Sequence, residues 1–205
     1  MRFAYCTILL AALLGSVLSC GAAPSESNIA TAAEVKKTLS QHITEGQQKE
    51  LENTITSMGL TYLADEPPAI EFKVEKLGGG SQRLSDLHGK VIVLNFWATW
   101  CAPCKVEMPS LQGLYDQFKG KDLVVLAVDT LEGGELVNTF VKDYGYKFPV
   151  LLDTDGQVNS LYSVQALPTT YIIDRNGKVI AGKSGSHDWS SPEVKKGIEY
   201  LLSKT

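Results

Sequence analysis

Residues 91–97 form an almost unbroken apolar run, Val-Ile-Val-Leu-Asn-Phe-Trp, the pattern of a strand buried on both faces. A second run, 123–128, ends at Asp129, and a third strand is predicted at 148–152. Between them the apolar spacing turns helical. Leu111 and Leu114 give a core face to a helix over 102–118, in which Pro109 predicts a kink. Leu136, Phe140, Val141 and Tyr144 mark another helix, and 157–162 a short one. Upstream, 69–77 and 81–84 read as a hairpin turned by Gly78-Gly79-Gly80, and Ser85-Asp86-Leu87 as one helical turn ending near Gly89. Downstream, 169–174 and 178–181 form a predicted antiparallel hairpin through Arg175-Asn176-Gly177. Ser191 with Pro192 and Glu193 then opens a terminal helix over Val194, Ile198, Leu201 and Leu202. Strands alternating with helices and closing on a hairpin and a helix predict an α/β sandwich of mixed sheet.

The N-terminal third has a different texture. From residue 21 to about 68 Ala, Ser, Thr, Glu, Gln and Lys dominate. Val35, Leu39 and Ile43 share one helical face, and Leu51, Ile55 and Met58 repeat the pattern beyond Gly46, which predicts two amphipathic helices in a linker or helical hairpin. Docking of this segment on the domain, or on a partner, is the alternative. Pro67-Pro68 marks the expected boundary, because the ring fixes φ and biases the preceding residue to extended structure. The expected organisation is a signal peptide at 1–19, a polar extension at 20–66 and the folded domain at 67–205.

Arg2, the apolar run 8–18 and the small residues that follow have the layout of a secretory signal. Val17-Leu18-Ser19-Cys20 also resembles a bacterial lipobox, in which Cys20 becomes the lipid-modified first residue of the mature chain, although Leu18 is bulkier than the usual small residue. An uncleaved anchor, or a signal cut elsewhere, competes with this reading, since 3–18 is only slightly short of a membrane span. Among 205 residues, 44% are hydrophobic and 20% charged, which fits one globular domain with extra segments. Nineteen basic against 23 acidic residues give a formal charge of −4, with no basic excess to recruit nucleic acid.

Cysteine placement carries the chemistry. Cys6 lies in the signal and Cys20 at its end, so the mature domain keeps Cys101 and Cys104 and has nothing left for a structural disulfide framework. The segment Trp100-Cys101-Ala102-Pro103-Cys104 follows a buried strand and opens a helix. A Cys-x-x-Cys pair can contribute to a zinc site, but such a site needs about four ligands, and His42, His88 and His187 are scattered. At a helix N-terminus, unpaired N–H groups and the dipole favour negative charge, which lowers the thiol pKa of Cys101. A thiolate is the attacking species in disulfide exchange. Cys101 is therefore the expected nucleophile and Cys104, one turn further and facing inward, the expected resolving residue. Pro103 restricts the turn and removes one N–H donor, which tunes the thiolate. No metal or organic cofactor is expected, because the cysteine pair itself stores two electrons.

With these residues in view the chain resembles the thioredoxin superfamily, and within it the TlpA/ResA-like extracytoplasmic oxidoreductases that include cytochrome c maturation proteins. The resemblance spans about 67–202. It is carried by Leu84-Ser85-Asp86-Leu87-His88-Gly89-Lys90, by Asn95-Phe96-Trp97-Ala98-Thr99-Trp100-Cys101-Ala102-Pro103-Cys104, and by Leu167-Pro168-Thr169-Thr170-Tyr171. It implies a thioredoxin-like sandwich with an N-terminal β-hairpin and a mid-domain strand-helix insertion at about 130–153. It also implies a cis Pro168 against the active-site disulfide, with Leu167 offering backbone groups to an extended substrate. Trp100, Ala102 and Pro103 would complete the substrate-binding surface.

Asn95 stands where thioredoxin carries a buried acid, whereas Glu107, three residues after Cys104, matches an acid of the TlpA/ResA-like group. A buried Glu107 would have a raised pKa and could accept or return the Cys104 proton; a solvated helix residue is the alternative. Trp97 is expected in the core, Asp129 as a local hydrogen-bonding group, and His187 as a solvated loop residue without function. The implied activity is reduction of disulfides in exported proteins, apocytochrome c among them, with electrons from a membrane thiol carrier and attachment through a lipid anchor. A peroxiredoxin-like peroxidase and a non-redox binding module or chaperone are the rival classes. Against the first, Trp100 fills the approach to Cys101 and the Pro-x-x-x-Thr-x-x-Cys arrangement is absent.

Overall fold

The computed structural model describes residues 32–204; the segment 1–19 read as a signal peptide, and Cys20, lie outside the described residues. Eight strands form one mixed sheet in the order β1-β8-β7-β4-β5-β6-β2-β3. Its centre is β4 (Val91–Trp97), paired in parallel with β5 (Leu123–Thr130) and antiparallel with β7 (Thr169–Ile173). β6 (Val150–Asp153) continues the parallel part beside β5. The hairpin β2 (Lys73–Lys76) and β3 (Ser81–Arg83) closes one edge. At the other, β8 (Val179–Ser184) carries β1 (Thr61–Tyr62).

Every β4 residue is buried, and the two-residue period of a strand divides them between two cores. Val91, Val93 and Trp97 face the cluster that contains Leu111, Leu114, Trp189 and Ile198. Ile92, Leu94 and Phe96 face the cluster of Leu126, Val128, Leu151 and Tyr162. Helices α2 (Ala102–Phe118) and α5 (Pro192–Ser203) contribute to the first cluster, and the short helix α4 (Gln157–Leu161) supplies Val158 to the second. The expected strand-helix insertion consists of α3 (Gly134–Tyr144) and β6, between β5 and α4. Leu111 and Leu114 are fully buried, and α2 runs through Pro109 as one helix.

The N-terminal segment departs from expectation in two ways. Residues 32–57 form one helix, α1 (Ala32–Ser57), where the apolar pattern predicts two helices parted at Gly46. The penalty for one glycine, about 1 kcal/mol, does not break a helix of this length. Secondly, the compact unit runs from Ile43, upstream of the boundary read at Pro67-Pro68. Ile55, Met58 and Leu60 lie in the first core cluster, and Thr61–Tyr62 adds a strand to the sheet. Gly59 ends α1 with φ of 75°, and a Cβ there would sit 3.1 Å from the His187 ring. A Cβ on Gly197 would meet Met58 Sδ at 2.2 Å, so the glycine in α5 gives Met58 its seat.

Among the described residues no helix is long and apolar enough to cross a membrane. The packing of α1 makes a prediction about stability. Ile55→Ala removes a fully buried side chain and should cost about 2–4 kcal/mol in urea unfolding, whereas a residue in a detached linker would cost nothing measurable.

Candidate active site

β4 delivers the chain to the C-terminal end of the parallel strands, where Ala98, Thr99 and Trp100 turn it into α2. Cys101 is the N-cap of α2, with the extended backbone that position requires (φ −76°, ψ 103°). Its Sγ accepts the Cys104 backbone N–H at 3.3 Å, so sulfur occupies the place usually taken by a capping hydroxyl or carboxylate oxygen. Pro103 lies in the first turn and has no N–H to orphan there. Cys101 and Cys104 are joined as a disulfide. Of the two, Cys101 keeps 4% exposure and Cys104 none, which makes Cys101 the sulfur reachable from outside.

The site residues read from the sequence differ in how far they are buried. Ala102 and Pro103 are exposed beside it, and Trp100 is 69% exposed on the preceding loop. Trp97 is fully buried, in line with its expected core role. The Leu167–Pro168 peptide bond is cis, as the resemblance implies, and it immediately precedes β7, the antiparallel neighbour of β4. Pro168 is buried and its carbonyl accepts from the Gly185 N–H at 2.8 Å. Among the described residues none hydrogen-bonds the main chain of Leu167.

Glu107 lies one helical turn beyond Cys104 and is 2% exposed. Three donors converge on its carboxyl: Asn95 Nδ2 reaches Oε1 at 2.8 Å, while the His187 backbone N–H and Trp189 Nε1–H reach Oε2 at 3.1 and 3.3 Å. Desolvation raises the Glu107 pKa above the ordinary carboxylate value, and the three hydrogen bonds pull it partly back. Asn95 also donates to Thr170 Oγ1 at 2.9 Å, which extends the network to the strand behind Pro168. A solvated Glu107 is thereby excluded.

One expectation needs correction. His187 is half-buried rather than solvated; its backbone caps Glu107 and its ring meets the Trp189 indole edge-on. Its own imidazole pKa is lowered, chiefly by burial. Asp129 is fully buried; among the described residues no N–H or O–H donates to its oxygens, and its hydrogen-bonding neighbour is the side chain of Glu132. Sequence reasoning also passed over Trp189, which is fully buried, and Glu132, which holds Thr99. An indole in an otherwise polar loop was the only local signal for the first; the second had none.

This arrangement can exchange disulfides: a capped sulfur at the surface, a second sulfur behind it, and a protonatable carboxyl sealed beneath. The comparisons agree. Residues 66–181 match the model of the AhpC/TSA family. The thiol-disulfide oxidoreductase ResA of Bacillus subtilis is 42% identical over 128 residues, 62% of this chain and 72% of that protein. A Chlorobium tepidum structure described as a thiol:disulfide interchange protein of DsbE type superposes with a TM-score of 0.62 at 31% identity, covering 67% of this chain and 97% of that one. StoA of Bacillus subtilis superposes with a TM-score of 0.55 at 25% identity, covering 65% and 98%. The chain thus belongs to the thioredoxin-like AhpC/TSA family, among its ResA-type thiol-disulfide oxidoreductases.

Proposed function

We propose that this oxidoreductase works outside the cytoplasm, tethered by lipid on Cys20, and reduces disulfides of exported proteins, the haem-binding cysteines of apocytochrome c among them. The observation that carries the reading is the Cys101–Cys104 pair at the mouth of α2 with Glu107 buried one turn behind it. The signal-like N-terminus and the lipobox support the location, and the ResA relatives support the reducing role.

In the reduced form Cys101 thiolate attacks one sulfur of the client disulfide, making a Cys101–client bond and releasing the first client thiolate. Cys104 then gives its proton to Glu107 and attacks Cys101 Sγ, closing the internal disulfide and releasing the second client thiolate. Two electrons pass from the cysteine pair to the client, and the Glu107 proton is available to one departing sulfur. Burial helps here, because raising the carboxyl pKa brings it nearer to that of a thiol and lowers the cost of the transfer. The client chain lies extended over Trp100, Ala102 and Pro103 and pairs with the uncommitted main chain of Leu167 beside Pro168. A membrane thiol carrier then restores the reduced pair, and no further cofactor takes part.

Cys104→Ala should leave clients trapped on Cys101 as mixed disulfides that mass spectrometry identifies. A cytochrome c precursor among them supports the proposed client, and adducts with only other proteins, or none, remove it. Feeding cells a fatty-acid analogue should label the native protein and not Cys20→Ala; absence of label, or label that survives the substitution, removes the tether.

Glu107→Gln should keep the fold, because Asn95 can turn its amide so that the Oδ1 now without a partner accepts from the new side chain. Wild-type resolution should quicken as pH rises through the raised Glu107 pKa, since only the carboxylate accepts the Cys104 proton. Stopped-flow kinetics of the variant should lack that limb and run about 10²-fold slower above it. Identical profiles would retire Glu107 as the proton acceptor.

A further inference from the structure

The side of the active-site loop away from Glu107 is held by a second carboxyl system that disulfide exchange as described leaves unused. Thr99, two residues before Cys101, gives both its backbone N–H and its hydroxyl to the carboxyl of Glu132, the hydroxyl at 2.6 Å. Glu132 is 8% exposed and sits in the loop between β5 and α3, where the chain passes through Leu131 at φ 64°. A leucine seldom adopts a left-handed backbone, and this one directs Glu132 inward while its own side chain stays 66% exposed. Each Glu132 oxygen accepts one Thr99 donor, and the carboxylate keeps lone pairs for a further one.

Asp129 lies three residues earlier, at the end of β5 and in register with Trp97 of β4. With neither oxygen receiving a protein hydrogen bond, an ionised Asp129 would be an uncompensated buried charge. The groups acting on it are Glu132, in side-chain hydrogen-bonding contact, and Asp153 at the end of β6, and both are acidic. Asp153 is itself occupied, accepting from the Val158 and Asn159 backbone N–H groups at 3.0 and 2.8 Å. Among the described residues no cation acts on Asp129. A proton on Asp129, donated to Glu132, removes the buried charge and turns the contact between the two acids into a hydrogen bond.

We propose that Asp129 and Glu132 are positioning residues that share one proton and together clamp Thr99, so that the Trp100–Cys101 segment is presented to clients in a fixed pose. Ionisation of Asp129 would set two buried carboxylates against each other and slacken the hold on Thr99. Burial, then the contact with Glu132, then the charges of Glu132 and Asp153 push the Asp129 pKa from 3.8 to about 8, so the loosening falls at mildly alkaline pH. The sign for stability follows. Between these two values the folded protein binds a proton that the unfolded chain releases, so this contribution fades as pH rises from 4 to 8.

The oxidised protein gives the test, since neither cysteine titrates while the disulfide is intact. In a two-dimensional NMR titration the Thr99 amide should shift with a midpoint near pH 8, and Asp129→Asn, whose amide makes the same donation at every pH, should abolish that shift. The melting temperature of Asp129→Asn should match wild type near pH 4 and exceed it increasingly towards pH 8. The rate of disulfide reduction by dithiothreitol, taken as the ratio of wild type to Asp129→Asn, should be flat below pH 7 and change above it. Glu132→Gln should slow exchange about 10-fold to 100-fold at pH 7 with the circular dichroism spectrum unchanged. A Thr99 amide without an inflection between pH 6 and 9, or one that titrates identically in Asp129→Asn, overturns the proposal. So does a Glu132→Gln protein that folds and exchanges at the wild-type rate.

Discussion

A carboxyl group in a protein core costs several kcal/mol unless donors reach it, and around Glu107 that requirement ties together segments far apart in the chain. Asn95 comes from the middle of β4, the Glu107 side chain from α2, and the His187 backbone and Trp189 indole from the loop before α5. The same knot reaches Thr170 on β7 through the second amide hydrogen of Asn95. Removing any donor would leave a buried acceptor short, so the loop before α5 keeps its position as long as Glu107 does. The buried carboxyl that is proposed to take the Cys104 proton is thus also part of the scaffold.

In front of that knot the protein presents little polar chemistry. Cys101 keeps a sliver of exposure, Cys104 none, and the side chains around the opening are short or aromatic. Trp100, Val106, Leu131, Leu136 and Tyr144, all on α2, α3 or the loops leading into them, are the large apolar side chains left to solvent in this part of the chain. Single exposed apolar residues are ordinary, but several on neighbouring elements suit a surface that meets other polypeptides. The placement sets an exposed apolar rim apart from a carboxyl sealed in the interior.

Two buried carboxyl systems of different character thus flank β4 and the start of α2. Glu107 is met by three neutral donors, which favour its charged form and partly offset burial. Asp129 has no donor and two acidic neighbours, so every influence favours its protonated form. The contrast follows from location: α2 packs under a loop rich in N–H donors, whereas the β5 end abuts the acidic ends of neighbouring segments.

Local pattern decided the frame. The seven-residue apolar run at 91–97 and the helix over 102–118 stand in the structure with the bounds read from the sequence, because a strand buried on both faces and a helix with a capped start are specified by residues within a few positions of one another. The Cys-x-x-Cys pair at their junction, and hence the chemistry, was legible for the same reason. The fate of 43–66 was not, since the helical periodicity of Ile55 and Met58 is the same whether the face meets solvent, a partner or Gly197 of α5. Nor could the sequence distinguish Glu107 from a solvated helix residue, or reveal that His187 and Trp189, some eighty positions away, complete its coordination. Periodicity reports which side of an element is apolar. Whether a polar side chain on the inner face finds donors or other acids depends on which distant segments meet there, and only the packed chain brings them together.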